Sequence, residues 1–366
     1  MNSQVSQNAH GGEVFKVARQ LGLDPYKIID FSSSINPLGP PSSAVQRMKN
    51  AIRMIPHYPD ITYYDFRKAV AKYVGILDPE SVIEGNGSTE LIYLFAELSL
   101  REGEKALIPV PAFSEYERAV RRRGGIPTHI GCRSDFTVDT KRVMDELGGR
   151  YKALFLSSPG NPSSKIIPVK DIFKIIERAS ELNVRVLLDE TFIEFIDGND
   201  ELGILGRINE FPNLFVIRSL TKAFALAGLR IGYGLASRKF ISLMKSIKIP
   251  WSVNILAQEA SIAAMNDRAY LKRTKKLITR ERYFLFTELE AIRALAPVEP
   301  EANFILVKLS GGHTAKELKS SLLKGNHILI RDCSSFLSLN ESYFRISIKL
   351  RKENLALLSA LKEALT

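Results

Sequence analysis

Four short stretches of this 366-residue chain gather side chains that could do chemistry. In SLTKAFALAGLRIGYG (219–234), Lys222 stands between hydroxyl residues and a run of small residues, with Arg230 eight positions on. In LLDE (187–190), Asp189 and Glu190 end an apolar run. A carboxylate that deep needs a partner, because an unpaired buried charge is costly. GNGSTE (85–90) puts glycines into a turn that opens a helix, where exposed N–H groups and the helix dipole favour a phosphate. SSPGNPSS (157–164) carries Asn161 in a Pro/Asn turn.

A lysine, an aspartate, a phosphate-binding turn and an aromatic residue, Phe113 of PVPAFSEY, are together what pyridoxal 5′-phosphate requires. Lys222 offers the Schiff-base amine, Asp189 an acid against the pyridine nitrogen and Phe113 a face for the ring. Ser219, Thr221 and Arg230 then serve as phosphate ligands, and the small residues after Lys222 let the backbone approach. SLTK also fits the S-x-x-K acyl-enzyme motif with Ser219 as nucleophile, and SVN (252–254) mimics its companion, but no KTG element accompanies them. GNGSTE half-matches a dinucleotide fingerprint, yet lacks the third glycine and a suitably placed acid.

These residues need a frame that brings strand ends together. LFVIR (214–218) before Lys222 is apolar and β-branched without alternation, the pattern of a buried strand, and RIGYGLA (230–236) after it is another. STELIYLFAELSL (88–100) predicts a helix, KALIPVP (105–111) a strand, FSEYERAVRRR (113–123) a helix and YKALFLSSP (151–159) a strand. A helix near 168–182 and the strand VRVLLDE (184–190) follow. This βα rhythm predicts an α/β fold with a largely parallel sheet between helices, and ligands in such sheets bind beyond the carboxyl ends of the strands. Beyond Trp251 the texture changes. A long charged helical segment (about 255–292) leads to strands in NFILVKL (303–309), HILIRD (327–332) and YFRISI (343–348), then a closing helix. That is a smaller α+β domain. The expected division is an N-terminal arm (1–40) joining the small domain, a large cofactor-binding domain (41–253) and a small C-terminal domain (254–366).

Bulk composition sets outer limits. Hydrophobic residues make up 45% and charged residues 25%, an ordinary globular balance over a length that suits two domains. Cys132 and Cys333 lie far apart without a CxxC pattern or a histidine-rich neighbour, which speaks for a reducing compartment and against a structural metal. The start has no apolar leader segment and no run approaches a membrane span, so a cytoplasmic location and no membrane partner are expected. The net charge of +11 includes a cluster at Arg118, Arg121, Arg122 and Arg123. Without a nucleic-acid motif or interleaved aromatics, this cluster is expected to be a solvated helix face, with no nucleic-acid partner.

With S-x-T-K-(x)7-R, S-P-x-N-P and L-D-E in place, the whole chain resembles fold-type I pyridoxal-phosphate enzymes of the histidinol-phosphate aminotransferase subfamily. HGG (10–12), DFSSSINPLGPP (30–41), IPWSVN (249–254), IRDC (330–333) and YFRI (343–346) narrow this to a resemblance to the threonine-phosphate decarboxylases of cobalamin biosynthesis. The resemblance implies a homodimer with composite active sites and a small phosphorylated amino acid as substrate. It implies Lys222 as the covalent attachment, Asp189 on the pyridinium, Phe113 on the ring face and Asn161 on the ring oxygen. Many relatives have a tyrosine at the position of Phe192 that also reaches that oxygen; here its hydroxyl is missing. Gly87, Ser88, Ser219, Thr221 and Arg230 match the cofactor-phosphate set, with Tyr58 of HYPD reaching in from the partner subunit. Arg345 is implied for the substrate carboxylate, and Arg331, with His10 and Gly11 of the arm, for the substrate phosphate. Histidinol-phosphate aminotransferases share the cofactor set, so amino transfer is the alternative. Serine phosphate differs from threonine phosphate by one methyl, worth about 1–3 kcal/mol of discrimination.

Overall fold

The computed structural model describes residues 11–148, 150–196, 198 and 203–365. Strand β1 is Ile29–Asp30. The central sheet is built from β2 (Val82–Gly85), β3 (Lys105–Val110), β4 (Ile126–Gly131), β5 (Tyr151–Ser157), β6 (Arg185–Asp189), β7 (Leu214–Ser219) and β8 (Gly232–Ala236). Their order is β2-β8-β7-β6-β5-β3-β4. Neighbours are parallel except at β8, which runs antiparallel to both β2 and β7.

The strands lack polar alternation because both faces of the sheet are covered. Leu154, Leu156, Val186 and Leu188 join one hydrophobic cluster, whereas Ala153, Phe155 and Leu187 join another. Successive residues of a strand point to opposite faces, so the clusters are the two sides of the sheet. The helices Thr140–Leu147 and Val169–Glu181 pack into the first. The helices Gly87–Ser99, Glu115–Arg122 and Arg238–Ile247 pack into the second. The chain between β7 and β8 holds only one short helix, Leu220–Ala223, and a 3₁₀ turn. Too short to cross the sheet, this connection turns the chain back and keeps Lys222 just past the carboxyl end of β7.

The second sheet takes β9 (Leu295–Pro297) and β10 (Phe304–Leu309); after β11 (Ile328–Leu329) it adds β12 (Arg331–Asp332) and β13 (Tyr343–Ser347). Its order is β12-β13-β10-β9, antiparallel throughout. HILIRD therefore supplies two short strands in different sheets, since β11 pairs instead in parallel with β1. This pairing joins the N-terminal arm to the C-terminal part, and Phe31 O reinforces it by accepting from Ser347 N at 2.9 Å and Ser347 Oγ at 2.8 Å.

The single long helix expected near 255–292 is two helices, Ile255–Asn266 and Arg268–Glu290. Asp267 stands between them and caps the second, accepting from Tyr270 N at 2.9 Å. The helix Ile255–Asn266 packs against the helices Ser42–Ala51 and Tyr64–Val74. Among the described residues, no helix is long and apolar enough to cross a membrane.

Candidate active site

The strand ends meet at a cleft of about 410 Å³. Lys222, Asp189, Asn161, Phe113, Ser88, Ser219, Thr221 and Arg230 line it from the central sheet; Gly11, Arg331 and Arg345 line it from the arm and second sheet. Of the residues read from sequence, Gly87 stands just behind the wall, against Arg230. Tyr58 lies outside the cleft, 82% exposed, with its ring 5.0 Å from that of Trp251. His10 lies outside the described residues.

Lys222 is placed by a local device. Ser219 ends β7 in extended backbone and caps the short helix that follows, its Oγ accepting from Thr221 N at 3.4 Å. The hydroxyls of Ser219 and Thr221 meet at 2.7 Å. The carbonyl of Lys222 accepts from Asn36 N at 3.1 Å, which ties the lysine's backbone to the arm. Burial lowers the Lys222 amine to about 8, with the positive fields of Arg345 and Arg230 adding to it and Asp30 and Asp189 opposing. A neutral, nucleophilic amine is therefore within reach of physiological pH.

Asp189, at the end of β6, is held on both carboxylate oxygens. Thr191 N donates to Oδ1 at 2.8 Å and the Tyr116 hydroxyl to Oδ2 at 2.7 Å. Burial raises the Asp189 carboxyl; those hydrogen bonds and the field of Lys222 pull it back toward the anion. Phe113 stands edge-on to Tyr116, ring centroids 5.9 Å apart. Phe192 is buried on the cleft wall with its ring 4.8 Å from Phe304, and offers no donor.

At the opposite wall the two arginines are buried and have neutral partners. Arg345 donates through Nη1 to Asn161 Oδ1 and through Nη2 to Ser32 O at 3.0 Å, and lies 4.9 Å from the centre of the Phe304 ring. Among the described residues its Nε has no hydrogen-bond partner. Arg331 donates to Ser335 Oγ at 3.0 Å and sits 5.4 Å from the centre of the Phe336 ring. Burial lowers both, Arg345 to about 10. Among the described residues neither has a carboxylate salt bridge.

Sequence reading did not single out Tyr116, Thr191, Phe336 or Ser32–Ser34, all of which line the cleft. The three serines stood within a quoted motif, but nothing local marked them as wall residues. The arginine cluster is held by near neighbours: Arg118 pairs with Glu115 at 3.0 Å, Arg121 with Glu117 at 2.7 Å, and Arg122 lies 5.5 Å from the centre of the Tyr93 ring. Arg118 also reaches the cleft wall.

The residues fit pyridoxal 5′-phosphate. Gly87 has φ +75°, and a Cβ there would lie 2.5 Å from Arg230 Nη2; a Cβ on Gly232 would lie 2.8 Å from Ser88 N. The two glycines leave open the space where the helix N-terminus, the hydroxyls of Ser219 and Thr221, and Arg230 converge. That donor set suits a phosphate dianion. Lys222 and Asp189 stand in the same cleft, as an aldehyde and a pyridine nitrogen require.

Comparisons with known proteins agree. The profile of aminotransferase class I and II matches residues 26–361. A putative threonine-phosphate decarboxylase from Caldanaerobacter subterraneus subsp. tengcongensis is 37% identical over 332 residues, covering 90% of this chain and 88% of the relative. A histidinol-phosphate aminotransferase from Methanosphaera stadtmanae is 31% identical, covering 95% and 93%. The crystal structure of L-threonine-O-3-phosphate decarboxylase from Porphyromonas gingivalis superposes with a TM-score of 0.82 at 26% identity, covering 92% of this chain and 99% of that one. The mainly parallel sheet, the lysine at the carboxyl end of one of its strands and the match over nearly the whole chain lead to one conclusion: this protein is a fold-type I, pyridoxal 5′-phosphate-dependent enzyme of the class I and II aminotransferase family.

Proposed function

We propose that this protein, as a cytoplasmic homodimer, decarboxylates L-threonine O-3-phosphate to (R)-1-amino-2-propanol O-2-phosphate for cobalamin biosynthesis, with serine phosphate as a second substrate within reach. The observation that carries this reading is the pair Arg331 and Arg345. Two buried guanidinium groups that among the described residues have neutral hydrogen-bond partners leave positive charge unpaired, and a ligand with two anionic ends removes that cost. A phosphorylated amino acid has both ends.

The bound cofactor supplies an electron sink for the pair of electrons left when the Cα–carboxylate bond breaks. Arg345 grips the substrate carboxylate, and Arg331, with Gly11 and His10 of the arm, grips its phosphate. Two fixed ends would set which bond at Cα breaks. CO₂ leaves, and Lys222 delivers a proton to Cα. Asp189 keeps the ring nitrogen protonated. Asn161, its Oδ1 taken by Arg345, keeps its amide N–H groups, which would donate to the ring oxygen. Gly87, Ser88, Ser219, Thr221 and Arg230 hold the cofactor phosphate, and Phe113 covers the ring face. The reading keeps the division into an arm (1–40), a large domain (41–253) and a small domain (254–366).

Homodimerisation is supported by exposed apolar side chains at Ile55, Tyr58, Ile61 and Tyr64, with Ile249 and Trp251. A second copy covering them would let Tyr58 reach the partner's cofactor phosphate. The similarity to a histidinol-phosphate aminotransferase makes amino transfer the second reading. Product analysis decides between them. Release of CO₂ from threonine phosphate without a keto-acid acceptor is expected. Amino transfer from histidinol phosphate to 2-oxoglutarate, with no CO₂ from either amino-acid phosphate, would overturn the decarboxylase reading.

A further inference from the structure

We propose that Tyr116 is a positioning residue for the cofactor: its hydroxyl, bonded to Asp189 Oδ2 at 2.7 Å, fixes the rotation of the carboxylate that faces the pyridine nitrogen. The inference rests on the reading that Asp189 pairs with that nitrogen, and adds what holds Asp189 to the task.

A buried carboxylate on a short side chain can still rotate about its last bond, a soft, roughly two-fold torsion. Asp189 is pinned at both oxygens. The backbone N–H of Thr191 takes Oδ1, a contact any residue at 191 except proline would make. The contact at Oδ2 depends on side-chain identity, because only a hydroxyl on this ring supplies it. Each oxygen keeps a further lone pair, so the cleft-facing side stays free for a pyridinium N–H.

Tyr116 is itself immobilised. It is among the largest fully buried side chains, its ring stacked on Phe155 with centroids 5.6 Å apart and an interplanar angle of 29°. Its backbone N–H donates to Phe113 O at 3.2 Å, and its ring meets the Phe113 ring edge-on. One residue thus touches both the aromatic meant for the cofactor face and the carboxylate meant for its nitrogen. Burial, then the negative field of Asp189, raises the phenol well above its ordinary value. Tyr116 therefore stays a donor at any working pH. Burial alone would push Asp189 toward its neutral form, and a neutral acid cannot keep the ring nitrogen protonated; the hydrogen bonds from Thr191 and Tyr116 oppose that drift.

The test is ¹⁵N NMR of the holoenzyme loaded with cofactor labelled at the ring nitrogen, for wild type, Asp189→Asn, Tyr116→Phe and Phe155→Leu. Tyr116→Phe keeps the ring, and melting of the cofactor-free protein checks that the fold survives. Phe155→Leu loosens the packing around Tyr116 but keeps the hydroxyl. The expected result is a nitrogen signal displaced toward the neutral range in Asp189→Asn and, less far, in Tyr116→Phe, and unmoved in Phe155→Leu. With it goes a loss of about tenfold in kcat for Tyr116→Phe with KM nearly unchanged, the scale of one charge-assisted hydrogen bond. A signal that moves in Asp189→Asn but stays put in Tyr116→Phe overturns the role of Tyr116, as does a shift of equal size in Phe155→Leu, which would assign the effect to packing. A signal unmoved in Asp189→Asn overturns the underlying reading of Asp189 instead.

Discussion

Arg345 and Asn161 share a hydrogen bond across the cleft, Nη1 donating to Oδ1, although 184 residues separate them in the chain. Arg345 stands on β13 of the second sheet, and Asn161 follows β5 of the central sheet. On the proposed reading, this bond registers the substrate's cation against a residue of the cofactor site, so that grip and chemistry are positioned together.

From this follows a separation of the two arginines. Arg331→Ala and Arg345→Ala are each expected to lower kcat/KM for threonine phosphate by roughly 10²-fold or more, the scale of lost positioning. Ethanolamine phosphate, which lacks a carboxylate, tells the roles apart. Its binding, measured by competition, should weaken in Arg331→Ala and hold in Arg345→Ala. The reverse pattern would exchange the assignments.

Attachment of the cofactor to the cofactor-free protein should accelerate with pH around a midpoint of about 8. The sign follows from which form reacts. The neutral amine attacks, a lowered lysine value makes that form available earlier, and about one molecule in ten carries it at pH 7. An ordinary surface lysine would still be climbing above pH 10. Absorbance stopped-flow gives the profile, and Lys222→Ala should show neither the borohydride-sensitive visible band nor turnover, while its far-ultraviolet circular dichroism stays unchanged.

Tyr58 allows a test of the composite site. Tyr58→Ala and Lys222→Ala should each be severely impaired alone, yet regain activity when unfolded and refolded together. In a hybrid dimer one site would receive its lysine from one chain and its tyrosine from the other. Random pairing then restores about a quarter of wild-type activity. Failure of the mixture to exceed the sum of its parts would remove the cross-subunit role.

Glu194 predicts a pH-dependent stability effect away from the chemistry. It is buried, neither carboxylate oxygen has a hydrogen-bond partner among the described residues, and burial raises it to about 7. An acid raised on folding costs stability as pH climbs from its unfolded value of 4.5 to its folded one, and the cost levels off above that. Glu194→Gln should therefore match wild type near pH 4.5 and exceed it by on the order of 2 kcal/mol at pH 8. Urea titrations at the two values measure the difference.

What the sequence made legible was local. Lys222, Asp189 and Asn161 each sit just past an apolar run, so a one-dimensional pattern located them at strand ends, and a parallel sheet gathers strand ends by construction. Tyr116 was not legible, because its link to Asp189 spans 73 residues and in its own helix it reads as one more apolar-face residue. The Ser32 carbonyl meets Arg345 over 313 residues, a separation no local rule sees. The break at Asp267 had a signal, an Asn-Asp step inside a charged helical run, that periodicity alone smooths over.

The pairing of β1 with β11 has a consequence for synthesis. Ile29 pairs with Ile328, so 328 − 29 = 299 residues must be made after the first strand before its partner exists. At the usual pace of translation that is a wait of about 15–60 s. During it the small cluster of Val17, Ala18 and Ile28 has no Leu329 to pack against, although the last strand of the central sheet ends at Ala236. The cleft residues of the central sheet, from Ser88 to Arg230, are all made before that strand ends. The wall that Arg345 forms with the Ser32 carbonyl waits until nearly the whole chain has been made.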